Sequence, residues 1–263
     1  MKILIVDKFF QPRDPAQTDM YKAISEQHYA TFSSNPMEDI MIGNYDLLYL
    51  GIYHPNLDLD LSQLLFYNQK PVIIDQADNE EFVNRNKIRM STNIKYILSR
   101  YLPNEALETY CLQNGFPVTL LPWYVNPDRF YISKDKLYDI SFVCSMYGNR
   151  KVMAEHIKGY CALSESKCSK VGEFYGQEYI DILAQSYMTY LECGRKCLTQ
   201  KYIEASICDC VLVGDKPLYP ENQLQVYPSV PENYTNMKGN REYILKTFAN
   251  KQVFIERFNE LLK

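Results

Sequence analysis

The chain has 263 residues and a formal charge of −4, enough length for one large domain or two of about 100–150 residues each. Hydrophobic residues make up 46% of it, yet no apolar run reaches the roughly 18 residues of a membrane helix, so a globular chain without a membrane span is expected. Residues 1–125 hold ten Lys/Arg against fifteen Asp/Glu, and so acidic a half does not suit a general nucleic-acid binder.

From the N-terminus, KILIVD (2–7) reads as a buried strand. Its apolar core is too short for a signal peptide, which makes the cytoplasm the expected compartment. DPAQTDMYKAISEQ follows with helical periodicity and a start signal, Asp14 as N-cap and Pro15 in the first turn. YDLLYLGIY (45–53), KPVIID (70–75) and KYILSR (95–100) are further strands. LPNEALETYCLQNG is a helix, and FPVTLLPWY (116–124) closes the first half. VNPDRFYISKDKLY (125–138) breaks the pattern and reads as a linker.

Alternation then restarts. DISFVCS (139–145) is a strand. NRKVMAEHIKGYCAL is a helix with Val152, Met153, Ile157, Tyr160 and Cys161 on one stripe, where His156 reads as a core histidine. SKVGEFYG, YMTYLECG and CVLVGD supply strands, QEYIDILAQ and TQKYIEASI helices. The tail NREYILKTFANKQVFIERFNELLK is helical. Strand–helix alternation in both halves predicts an α/β chain of two Rossmann-like, doubly wound domains, residues 1–125 and 126–263, with the C-terminal helices packing back. Open α/β sheets bind ligands outside the carboxyl ends of their strands, here in a central cleft that both domains face.

The eight cysteines form no CxxC, and Cys208/Cys210 has a spacing that common zinc sites do not use, so reduced thiols and no metal are expected. GxGxxG and GxxxxGK[ST] are absent too. An anion site is expected elsewhere, at the turn MYGNR after DISFVCS. There the N–H groups opening a helix, the Ser145 hydroxyl and the Arg150 guanidinium converge on where a phosphate could sit, although Arg150 also fits an ordinary solvated helix start. In TQKYIEASI, Lys201 and Glu204 share one helical face, which looks either at solvent as a surface pair or at a ligand above the next strand.

The second-half pattern, a strand followed by S-x-x-x-N-R, then GQEY, then T-Q-K-x-x-E-A before an apolar strand ending in Gly-Asp, resembles the GT-B glycosyltransferases. It is similar to the spore-maturation-type branch and to the T-even phage DNA β-glucosyltransferases, which share an Asp, here Asp209, where most of the superfamily has Gly. The resemblance implies a GT-B fold with an acceptor-side first domain and a donor-binding second domain. It also implies a nucleotide-sugar co-substrate, UDP-linked, with no further cofactor. On that basis Glu204 accepts from the donor ribose hydroxyls, while Lys201 and Arg150 face the diphosphate. Cys144 departs from the usual Gly beside the phosphates, Lys201 from a commoner Arg. Lys196 stands where retaining members carry Glu, which favours an inverting transfer.

An inverting transfer needs a base in the first domain at a strand end. Asp75, matching the phage enzymes' catalytic Asp, is the choice, against an ordinary cap role. Asp78 lies close by, and His54 is the reserve. The basic stretch 83–100 is expected to line the acceptor side. If the acceptor is hydroxymethylated double-stranded DNA, Arg85, Lys87 and Arg89 contact its phosphates, and the compartment is the host cytoplasm. If it is a glycan or small molecule, they are a solvated loop. A non-catalytic sugar-nucleotide-binding protein and an isomerase of the sugar nucleotide are the competing readings.

Overall fold

The computed structural model describes residues 1–7, 15–51, 61–75, 94–99, 113, 115, 118–145, 148–163, 169–192, 197–220 and 222–263. The helix expected over LPNEALETYCLQNG lies almost wholly outside them, as do His54, Asp78, Arg85, Lys87 and Arg89. The chain divides into two compact units, Met1–Trp123 with Phe254–Lys263, and Tyr124–Val253.

Unit 1 carries strands β1 (Lys2–Val6), β2 (Tyr29–Phe32), β3 (Leu47–Gly51), β4 (Val72–Asp75), β5 (Ile94–Ser99) and β6 (Val118–Leu120), with helices α1 (Pro15–Gln27), α2 (Pro36–Ile42) and α3 (Leu61–Tyr67). All six strands pair in parallel in the order β2-β1-β3-β4-β5-β6. KILIV, LLYLG and VIID are nearly continuous apolar runs because such a sheet is covered on both faces; every residue of β3 and β4 is buried. Helix α1 buries Ala16, Met20, Ala23 and Ile24, a helical spacing that lays one face on the sheet. The final residues complete this unit. Phe258 is fully buried with its ring 6.1 Å from Tyr49 and 6.0 Å from His28, and Lys95 Nζ donates to the Leu262 carbonyl at 2.8 Å.

Unit 2 carries β7 (Tyr138–Val143), β8 (Lys170–Gly172), β9 (Ser186–Leu191), β10 (Val211–Gly214) and β11 (Val226–Tyr227). Its helices are α4 (Asn149–Leu163), α5 (Gly176–Ala184), α6 (Gln200–Ile207) and α7 (Arg241–Thr247), and α8 (Lys251–Leu262) starts here and ends in unit 1. Five parallel strands run in the order β11-β10-β9-β7-β8. The helical tail is therefore two helices. Asn250 Oδ1 accepts from the Gln252 and Val253 amides at 3.0 and 3.2 Å, capping the second of them.

One packing expectation is corrected. Helix α4 has the expected bounds, but it buries Ala154 and Ile157, leaving Val152 57% exposed and His156 exposed too. Positions 152 and 156 are one turn apart and share a face, and the helix turns that face away from the sheet. His156 is a rim residue beside an apolar pocket of Ile140, Ile157, Tyr190 and Val213, not a core histidine.

Candidate functional site

In unit 2 the chain leaves β7 for β8 on one side and returns to β9 on the other, so the topological switch point lies between β7 and β9. Open α/β sheets bind ligands beyond the carboxyl ends of strands at such a point. The residues that follow those ends are Cys144 and Ser145 after β7 and Glu192 after β9. Helix α4 opens there with Asn149 and Arg150, and its first-turn amides favour an anion.

Arg150 Nε donates to Glu192 Oε2 at 3.1 Å, across the switch point, and Nη1 donates to the Ser145 carbonyl at 3.3 Å. Ser145 itself is exposed. Lys201 reaches the same place from α6, with Nζ donating to the Val143 carbonyl at 3.0 Å. Burial pushes the Lys201 ammonium below its ordinary range, and the neighbouring Arg150 charge pushes the same way, opposed by Cys144, Glu204 and Glu192. The buried Cys144 thiol is pushed up by desolvation, with Lys201 and Arg150 pulling it down. Among the described residues, Cys144, Cys197, Cys208 and Cys210 are buried free thiols.

Glu204 is 5% exposed, and the Tyr179 hydroxyl of α5 donates to its Oε2 at 2.6 Å. Burial and the adjacent carboxylate hold the Tyr179 phenol well above its usual range, so it remains a donor. The Lys201/Glu204 face therefore does not look at solvent as a surface pair. Every residue from Tyr202 to Ile207 is buried, and each of the two polar side chains makes a hydrogen bond to a neighbouring element.

Asp209 ends α6 with φ of 59°. The Cys210 amide donates to the Ala205 carbonyl and the Asp209 amide to the Ser206 carbonyl, both at 3.0 Å, the paired bonds of a Schellman cap. The cap position calls for a left-handed residue, which is a local reason for Gly there in other chains and for Asp, which tolerates it, here.

In unit 1, Asp75 ends β4 opposite Gly51 of β3 and is fully buried. Its Oδ2 accepts from the Tyr49 hydroxyl and, at 3.3 Å, from Gln17 Nε2 of α1. Gln17, Tyr21, Tyr49, Tyr179 and Glu192 were not singled out by sequence. The tyrosines sit at core positions of apolar patterns, and periodicity reports where a ring is buried, not where its hydroxyl points. Among the described residues there is no cluster of His, Cys, Asp and Glu able to hold a metal ion, and no helix long and apolar enough to cross a membrane.

No protein-family model and no curated protein sequence matches the chain. Among solved structures it is similar to Anabaena HepE in complex with UDP-glucose, with a TM-score of 0.53 at 10% identity over 97% of this chain and 91% of that one. HepE in complex with UDP and glucose gives 0.52 at 11% identity over 97% and 91%. HepE in complex with UDP gives 0.50 at 10% over 98% and 94%. The likeness is one of fold, an α/β chain built on two parallel sheets of six and five strands.

Proposed function

We propose that the protein is a nucleotide-sugar glycosyltransferase of GT-B type, with UDP-linked donor binding in unit 2 and the proton-accepting carboxylate in unit 1. The observation that carries the reading is the meeting of Lys201 and Arg150 at the β7/β9 switch point, beside the opening of α4 and with Glu204 on the same helix as Lys201. An ammonium, a guanidinium and helix amides suit a diphosphate, and stabilise it as negative charge grows on the leaving group. The fold shared with HepE, whose structures hold UDP and UDP-glucose, supports the same donor. Ser145 adds a hydroxyl, and Glu204, steadied by Tyr179, accepts from the ribose. On the acceptor side the catalytic carboxylate belongs to the group of residues around Asp75.

The acceptor is a hydroxyl compound. The DNA reading rests on Arg85, Lys87 and Arg89, with Asp78 and His54 as further acceptor-side candidates, all outside the described residues, and the described residues add no support for it. The reading is tested by screening UDP-sugars for a thermal shift and for UDP release, with glycan, small-molecule and hydroxymethylated DNA acceptors in parallel. A shift with UDP that Glu204→Ala abolishes is expected; no shift with any nucleotide sugar refutes the reading.

The full burial of Asp75 favours a second reading, a non-catalytic sugar-nucleotide-binding protein. It predicts the same shift but no turnover with any acceptor, and no conversion of the donor alone.

A further inference from the structure

Unit 1 has its own switch point, between β1 and β3, where the chain turns from β2 on one side to β4 on the other. A connected set of polar groups stands at the carboxyl ends of these strands. The Tyr21 hydroxyl donates to Asp7 Oδ2 just beyond β1. Gln17 Nε2 donates to the Tyr21 hydroxyl at 2.7 Å and to Asp75 Oδ2 at 3.3 Å, and the Tyr49 hydroxyl donates to Asp75. The directions agree throughout, since both hydrogens of the Gln17 amide are used and each tyrosine donates to a carboxylate oxygen.

Backbone geometry makes room for this arrangement. A Cβ on Gly51, at the end of β3, would lie 2.1 Å from the Tyr21 hydroxyl and 2.7 Å from Asp7 Oδ2. Only a residue without a side chain lets the Tyr21–Asp7 pair occupy the strand end. The two carboxylates differ in access. Asp75 is fully buried beneath Tyr49 and Gln17, whereas Asp7 is partly exposed.

We infer that Asp7 is the carboxylate that meets the acceptor hydroxyl, and that Asp75 is a positioning residue acting through Gln17 and Tyr21. The inference rests on the glycosyltransferase reading. As the acceptor oxygen bonds to the anomeric carbon, the bond from that carbon to the diphosphate oxygen breaks and its electron pair leaves with UDP. The acceptor proton passes to Asp7, which later releases it to solvent. Tyr21 stays protonated, because burial first, then the charge of Asp7 and the groups of Tyr49 and Asp75, hold its phenol well above the usual range. Its donated hydrogen bond favours the ionised form of Asp7 and keeps that group a base.

The test uses the full chain, an active UDP-sugar and acceptor pair, and UDP affinity measured alongside. Asp7→Asn is expected to lower kcat by roughly 10²–10⁴-fold, the ordinary worth of a general base, with UDP affinity unchanged. Asp7→Ala should recover turnover with added formate or azide, because a small anion can take the place of the removed carboxylate at a position that is only partly buried. Asp75→Ala, its gap sealed under Tyr49, should not recover. Tyr21→Phe keeps the ring but removes the hydrogen bond to Asp7, and should move the acidic limb of the kcat/KM profile upward; a merely structural hydroxyl would leave that limb in place. Asp7→Asn turning over within two-fold of the parent, or anion recovery at Asp75 and not at Asp7, overturns the inference and leaves the glycosyltransferase reading standing. A parent chain that neither binds nor turns over any nucleotide sugar overturns both.

Discussion

Arg150 is the guanidinium proposed to face the diphosphate, and its Nε donates to Glu192 at 3.1 Å. The side chains are 23% and 27% exposed, so the pair lies between a solvated surface contact and a buried one. Exposed pairs are worth about 0.2–1 kcal/mol, and partial burial places this one near the upper end, about 1 kcal/mol. A diphosphate must displace that carboxylate or sit beside its like charge. Glu192→Gln keeps the shape and removes the charge, and should tighten UDP binding about five-fold, since 1.4 kcal/mol is tenfold in affinity. Isothermal titration of UDP checks this, at about 0.05 M and about 0.5 M salt. The difference between parent and variant should narrow at the higher concentration as screening shortens the range of the charge. Equal or weaker binding by Glu192→Gln refutes the reasoning, because Glu192 would then be contacting the ligand itself or Arg150 would lie outside the phosphate site.

Three further outcomes are expected. Burial lowers the Lys201 pKa from 10.5, so its positive charge is lost at a lower pH than an ordinary lysine's. UDP affinity should therefore fall as pH rises from about 7 to about 10, and Lys201→Arg, charged throughout, should flatten the fall in the same titrations. Tyr179→Phe strips a buried carboxylate of its hydrogen-bond donor and should cost about 1.5–3 kcal/mol of stability in urea unfolding, with weaker UDP binding; unchanged stability and affinity would mean Glu204 has another support. Asp209→Gly relieves a left-handed residue at φ 59° and should raise stability by roughly 0.5–1 kcal/mol; a loss would show that the Asp209 side chain holds something the cap does not need.

The strands were legible because a parallel sheet covered on both faces leaves a nearly unbroken apolar run, as in KILIV and VIID. Helices α2 and α3 and strands β2 and β11 were missed, because each is short. Helix α2 is only seven residues long, too few for periodicity to register, although Pro36 at its start and the left-handed Gly43 at its end are ordinary stop and start signals. Strand β2 is a four-residue edge strand with alternating exposure, and its sequence, YATF, carries little hydrophobic signal. The bounds of α4 were legible, but not its rotational phase, because Val152 and Ile157 are both apolar and only packing chooses between the two faces.

The placement of the candidate site residues was legible where chemistry and topology coincide. Ser145 and Arg150 follow a strand and open a helix, an arrangement visible in the order of residues. Lys201 and Glu204 share a face by period alone, but what that face meets depends on Val143 and Tyr179, which are 58 and 25 residues away in the chain. The same holds for Asp75, whose surroundings come from Gln17 and Tyr49. Hydrogen-bond partners brought together by a fold leave no local pattern to read.

The return of residues 254–263 to unit 1 sets the order in which the chain can be finished. Tyr49 and His28 are made early, but the ring that covers them, Phe258, comes more than two hundred residues later. At about 5–20 residues per second, unit 1 waits tens of seconds on the ribosome with an apolar face uncovered, while unit 2 is synthesised whole. The half that begins first is completed last, and that waiting face is where a chaperone would be expected to hold the nascent chain.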